Sequence, residues 1–364
     1  MLYWLAVSLV LIAGVSVIWS LEAQLAYLNW VKLAAAAALF SALTIFNFNL
    51  RKIAWAWVAS SVIQSGFAIW QFFVQYTPAN KWLGLAYHLP TIGGSIILET
   101  DSERWLRAYG SLPHPNALAG FLLIGLIFAF YLSLTARGSS TRMALAGSLI
   151  VMVPAIFFSF SRSAWIALII VLAALGIWLV RTKRPDWRET FFQLLFIVGL
   201  LVVILSSLLF EPLLTRILSQ EPLEENSIEL RLTFTQQALT LINNDLLTGT
   251  GIGNYTWGVY QQINAFWPGY YYQPVHNIYL LILAELGIFG LAILGILLAC
   301  LGYHLGHRPA SLEKTMLMLA LVAILIISLF DHYFWTLYSG LLVFWIILGL
   351  NFRQLSLAVN QPRA

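Results

Sequence analysis

The chain has 364 residues, of which 60% are hydrophobic and only 9% charged, with a formal net charge of +4. A soluble domain carries about 25% charged residues, so this chain cannot cover a water-facing surface and must be solvated by lipid. The small net charge and the lack of a basic stripe exclude a nucleic-acid partner.

Taken in chain order, ten apolar runs approach the roughly 20 residues a bilayer-crossing helix needs. They lie near 2–20, 25–46, 53–74, 115–135, 143–160, 163–180, 191–210, 277–302, 314–331 and 335–351. Glu22 and Gln24 barely separate the first two. Backbone groups in lipid must be paired within the segment, so each run should be a helix. The expectation is an all-α polytopic integral membrane protein of about ten transmembrane helices, a single membrane domain over 1–364. The first run lacks a basic start and a small-residue cleavage site, so no cleavable signal peptide is expected.

Lys and Arg in short loops set orientation. One side carries Arg51, Lys52, Arg137, Arg142, Arg181, Lys183, Arg184, Arg188, Arg308, Lys314, Arg353 and Arg363. The other carries Lys81, Arg104, Arg107, Arg162, Arg216 and Arg231, and Lys32 falls within a span. The richer side should be cytoplasmic, which puts the N-terminus in the cytoplasm and two long loops, 75–114 and 211–276, outside. The run RTKRPDWR at 181–188 reads as a positive-inside anchor.

Polar residues at helix entries come next. SLPHPNALAG at 111–120 places His114, Pro115 and Asn116 at an outer helix start. SFSRSAW at 159–165 puts Arg162 at the outer boundary between two runs. An ionisable residue there marks a site or snorkels to headgroups. Its helical neighbours Phe158, Ser159, Trp165 and Ile166 offer no carboxylate.

The 211–276 loop is too long to be a plain connection. Its part from Glu224 to Ile242 reads as a helix, with Ile228, Leu232, Leu239 and Ile242 as an apolar stripe suited to the membrane interface. On that helix, none of the neighbours of Arg231 at three or four positions is acidic. GTGIGNY at 249–255 lacks the flanking strand of a nucleotide fold. It reads as a tight turn of positive φ, or as backbone amides approaching a phosphate. His276 sits at the mouth of the next span, where it is either a general base or a hydrogen-bonded interfacial residue. Glu285 lies two turns into that span, and Asp331 with His332 ends another. The six histidines show no zinc spacing, so no metal or cofactor is expected. Cys300 is a lone packing cysteine, which rules out an internal disulfide.

The order of PHPNALAG, SRSAW, the loop helix with Arg231, GTGIGN, VHNIYLLILAELGIFG and DHYFWTLYSG resembles the O-antigen ligase and polymerase family over about 110–350. The resemblance implies an all-helical, GT-C-like membrane fold with a long, partly helical extracytoplasmic loop. It implies a bacterial cytoplasmic (inner) membrane location and a polyprenyl-diphosphate-linked glycan donor. The acceptor would be a glycan, a lipid or a protein. It assigns Arg162 and Arg231 to the donor diphosphate and His276 to the acceptor hydroxyl, with Asn277, Glu285 and Asp331 as supporting polar residues. Guanidinium groups suit a diphosphate leaving group. A transporter or flippase is the alternative. Broken helices and midplane charges would favour it, and Glu285 and Lys32 are the deep charges here.

Overall fold

A computed structural model describes residues 2–100, 103–218 and 222–357; Arg363, counted above, lies outside the described residues. In chain order the helices are α1 Leu2–Val15, α2 Ala23–Ile45 and α3 Leu50–Val74, then a hairpin of β1 Ile97–Glu99 and β2 Arg104–Leu106. There follow α4 Pro115–Leu134, α5 Ser139–Phe158, α6 Arg162–Val180, α7 Pro185–Leu208, α8 Phe210–Leu218, α9 Pro222–Asn244 and α10 Tyr255–Gly258. The last are α11 Ile278–Gly306, α12 Leu312–Ile327, α13 Tyr333–Thr336 and α14 Tyr338–Leu357. The protein is an all-α polytopic membrane protein.

Eight of these helices, α2 to α7, α11 and α14, are long and apolar enough to cross a bilayer. The other two expected spans are shorter. α1 runs 14 residues before a 3₁₀ turn at Ser16–Ile18, and α12 runs 16. At 1.5 Å per residue, α12 is about 24 Å long, short of a hydrocarbon core of about 30 Å. Tertiary contacts stop both helices. Ser16 Oγ bonds back to Ala13 O and accepts the Ile252 amide, while Ser328 O accepts the amide of Ile278.

The chain forms two compact units. One comprises 48–227 and 318–327. Its centre is α4, built from Leu, Phe, Ala and Gly and buried along nearly its whole length. A helix apolar on every side belongs in a core. Gly125 lets α3 approach so closely that a Cβ there would overlap the Ser61 hydroxyl. The Trp57 ring stacks on Phe121 at 5.3 Å. α7 instead exposes Phe192, Phe196, Leu200 and Val203, a face suited to lipid.

The other unit comprises 1–47, 228–317 and 328–364. Here α2 packs along α14, with Phe40 edge-on to Trp345 at 5.4 Å and to Phe352 at 5.0 Å. α9 packs Leu230, Phe234, Ala238, Leu241 and Ile242 against Tyr255, Val259, Val275 and Leu281. The expected interfacial stripe therefore changes at one residue only. Ile242 joins this core, but Ile228, Leu232 and Leu239 are exposed on another face. In a membrane protein an apolar stripe need not face the core, and this one suits an interface.

The expectation of one unbroken span at 277–302 also changes. α11 breaks at Gly287, whose φ of 65° and ψ of −169° only glycine adopts readily. Residues 246–251 fill the break: Thr250 N donates to Ala284 O and Gly251 N to Glu285 O, each at 2.9 Å. Ile288 N donates to Leu246 O at 2.9 Å. Irregular backbone inside a span is tolerated where protein satisfies it, and part of the long loop does so here.

Candidate functional site

His276 is placed by its neighbour Asn277. The Asn277 side chain caps α11, accepting from the amides of Tyr279 at 3.0 Å and Leu280 at 3.1 Å. Its Nδ2 donates to Leu329 O at 3.2 Å. Together with the Ile278–Ser328 bond, this ties the start of α11 to the segment carrying Asp331 and His332. The His276 ring consequently lies edge-on to His332, 5.0 Å between centroids, and stacks on Phe234 of α9 at 5.9 Å. Tyr255 fixes α9 in turn, donating its hydroxyl to Phe234 O at 2.8 Å.

The electrostatics follow from this packing. Burial pushes the His276 pKa down to about 4. Asp331 opposes that shift, and His332 and Arg231 add to it. Burial likewise lowers the pKa of His332, against Asp331 and with Arg231. Arg231, His276, Asp331 and His332 thus share one electrostatic neighbourhood. Asp331 is buried and accepts the His332 amide at 2.8 Å. His332 Nδ1 meets Thr336 Oγ1 at 2.7 Å. His276 Nδ1 is buried and, among the described residues, has no hydrogen-bond partner. A buried polar atom left so costs about 1–3 kcal/mol.

Glu285 is buried on α11 and does not face this cluster directly. Its carboxylate accepts from Trp335 Nε1 at 2.8 Å and from the amides of Gly253 and Tyr255. That decides the reading of GTGIGNY. Gly249, Gly251 and Gly253 all have positive φ, so the turn reading holds. The phosphate reading does not. The remaining amides of 249–254 go to Asp245 O, Ala284 O, Glu285 O, Ser16 Oγ and Gly251 O. None is left for a phosphate.

Arg162 belongs to the other unit, as the first residue of α6. It is half-buried, and its Nη1 reaches Arg216 O at 3.4 Å. Two buried arginines that the sequence had only assigned to a side converge on the same turn. Arg107 donates to Ser159 O and to Asn116 Oδ1, each at 2.6 Å, and Arg216 donates to Phe160 O at 2.9 Å. Phe160 holds a φ of 47°, an uncommon value for a non-glycine residue. Arg107 and Arg216, both buried, thus hold the three-residue connection that leads into Arg162. His114 caps α4, its Nδ1 accepting the Asn116 amide at 3.0 Å. Among the described residues, no group of three His, Cys, Asp or Glu side chains is arranged to hold a metal.

Residues 147–295 match the protein family described as O-Antigen ligase. The matched stretch is 149 of the 364 residues. It carries Arg162, Arg231, His276, Asn277 and Glu285, whereas Asp331 and His332 lie beyond the matched stretch. This similarity supports a glycan-processing role in polysaccharide biosynthesis. No curated protein matches the sequence. Arg107, Arg216 and Trp335 are the site residues that sequence reasoning left without a role. His332 had a visible signal, its place beside Asp331 at a helix end.

Proposed function

We propose that the protein transfers a glycan from a polyprenyl-diphosphate donor to an acceptor hydroxyl at the extracytoplasmic membrane face, as an O-antigen ligase or polymerase. The observation that carries this reading is His276: neutral at physiological pH, buried, its Nδ1 without a hydrogen-bond partner among the described residues, beside Arg231 and Asp331. A neutral imidazole can take a proton. His276 removes the acceptor's proton as that oxygen attacks the anomeric carbon. The bond from that carbon to the diphosphate oxygen breaks, and the diphosphate departs with the electron pair. One displacement inverts the anomeric centre. Arg231 meets the charge that develops on the leaving group, and Asp331 stabilises the imidazolium that forms.

A pKa near 4 makes a weak base. Burial is the main cause of that low value, and diphosphate bound beside Arg231 would offset the smaller part that Arg231 adds. Arg162, half-buried at the start of α6, is the cation of its own unit that would meet phosphate oxygens of the lipid-linked donor, and Arg107 and Arg216 hold the turn before it. Asn277 positions His276 through the α11 cap, and Glu285 holds the 253–255 turn.

The break in α11 is the observation that favours a transporter. Its freed carbonyls and amide are already bonded to residues 246–251, which leaves them no substrate to coordinate. Purified protein in nanodiscs, given lipid-diphosphate glycan and acceptor, tests the transferase reading. His276→Ala should lower transfer about 100-fold or more while the protein stays monodisperse and folded. A folded His276→Ala protein with full activity rejects the mechanism. Glycan transport by liposomes that show no transfer would favour the transporter.

A further inference from the structure

A cavity of about 150 Å³ lies within the unit formed by 1–47, 228–317 and 328–364. Its lining includes Asn29 and Lys32 of α2, Thr256 of α10, Glu285 of α11, and Trp335 and Thr336 of α13. We propose that this cavity is the subsite for the sugar ring of the acceptor glycan, an inference that rests on the transferase reading above.

Lys32 lies about 14 Å along α2 from its start, within a helix long and apolar enough to span. An ammonium on such a helix normally faces a polar cavity and marks a site. Among the described residues Lys32 has no ion-pair or hydrogen-bond partner. The one carboxylate in the lining, Glu285, is already bonded to Trp335 Nε1 and two backbone amides. Among the described residues the Thr256 hydroxyl likewise makes no hydrogen bond. The cavity therefore presents an open ammonium and an open hydroxyl beside the Trp335 ring. Apolar walls with a few convergent polar groups describe a small-molecule pocket. A pyranose fits that chemistry, with hydroxyl oxygens for Lys32 and Thr256 and C–H faces for the indole.

Two features assign the cavity to the acceptor rather than the donor diphosphate. No arginine lines it. Thr336, which does, bonds His332 Nδ1 at 2.7 Å, and the His332 ring lies 5.0 Å from that of His276. The pocket is therefore joined to the side where the acceptor hydroxyl must lose its proton.

The test is steady-state transfer in nanodiscs. The acceptor is oligosaccharide released by mild acid from the source cell's own surface polysaccharide. Lys32→Met and Thr256→Val, each checked for an unchanged melting temperature, are compared with wild type. Lys32→Met should raise the acceptor KM roughly tenfold, as expected for one lost charged hydrogen bond. Thr256→Val should raise it less. Donor KM and kcat should stay close to wild type. Acceptor KM within twofold of wild type in both variants overturns the subsite while transfer by wild type keeps the reading beneath it. A rise in donor KM instead overturns the acceptor assignment. Wild type that binds the oligosaccharide with Lys32 dependence, yet transfers nothing, retains a saccharide site and rejects the transferase reading.

Discussion

His276 shows how much one side chain owes to its surroundings. Its type and position suggested a base, but its protonation depends on burial and on Arg231, His332 and Asp331, none adjacent in sequence. The folded pKa of about 4 lies below the unfolded value of about 6.5. Between these values the unfolded chain binds more protons, so stability rises with pH across that window. His276 therefore favours unfolding as pH falls from 6.5 to 4. Thermal melts of detergent-solubilised protein should show a shallower loss over that range for His276→Gln than for wild type. Parallel curves would mean the histidine is not held neutral. In transfer assays the acidic limb of kcat/KM should report the free enzyme's base, near pH 4. The limb of kcat should lie higher, because bound diphosphate relieves the field of Arg231.

At the scale of elements, the deciding feature is the break in α11. The pattern VHNIYLLILAELGIFG reads as one continuous helix, because Gly is tolerated in such helices and periodicity carries no trace of the chain that packs alongside. The break exists because residues 246–251 supply the bonds that Ala284, Glu285 and Ile288 give up. A Cβ at Gly287 would overlap the Leu247 carbonyl. Gly287→Ala should cost roughly 3 kcal/mol or more, from strain and overlap together. Gly295, in the same helix, has open space where a Cβ would go. Gly295→Ala should be neutral or stabilising by up to about 1 kcal/mol. Equal melting temperatures for the two variants would remove the argument for an obligatory break. The stripe on α9 carries a similar lesson. Exposed Ile228 and Leu232 look like core residues only if water is the surrounding solvent.

For the whole molecule, sidedness remains the most direct thing to measure. The bias of Lys and Arg predicts loop 75–114 outside and the loop after α4 inside. Gly93 and Gly138 both have open space for a side chain and neither has positive φ. With Cys300 replaced by Ala, a membrane-impermeant thiol reagent should label Gly93→Cys in intact spheroplasts and spare Gly138→Cys until the cells are lysed. The reverse pattern would invert the topology. By itself the sequence determined the solvent, the helical class, most of the spans and the family-bearing motifs around Arg162, Arg231 and His276. Those follow from composition and local spacing, which lipid constrains strongly. Only the tertiary structure decided that two apolar runs stop short, that α11 breaks, and that the Gly253 and Tyr255 amides serve the Glu285 carboxylate. It also decided that Asp331 and His332 surround His276. Each of these depends on hydrogen bonds or burial between residues distant in the chain, and no local period encodes such partners.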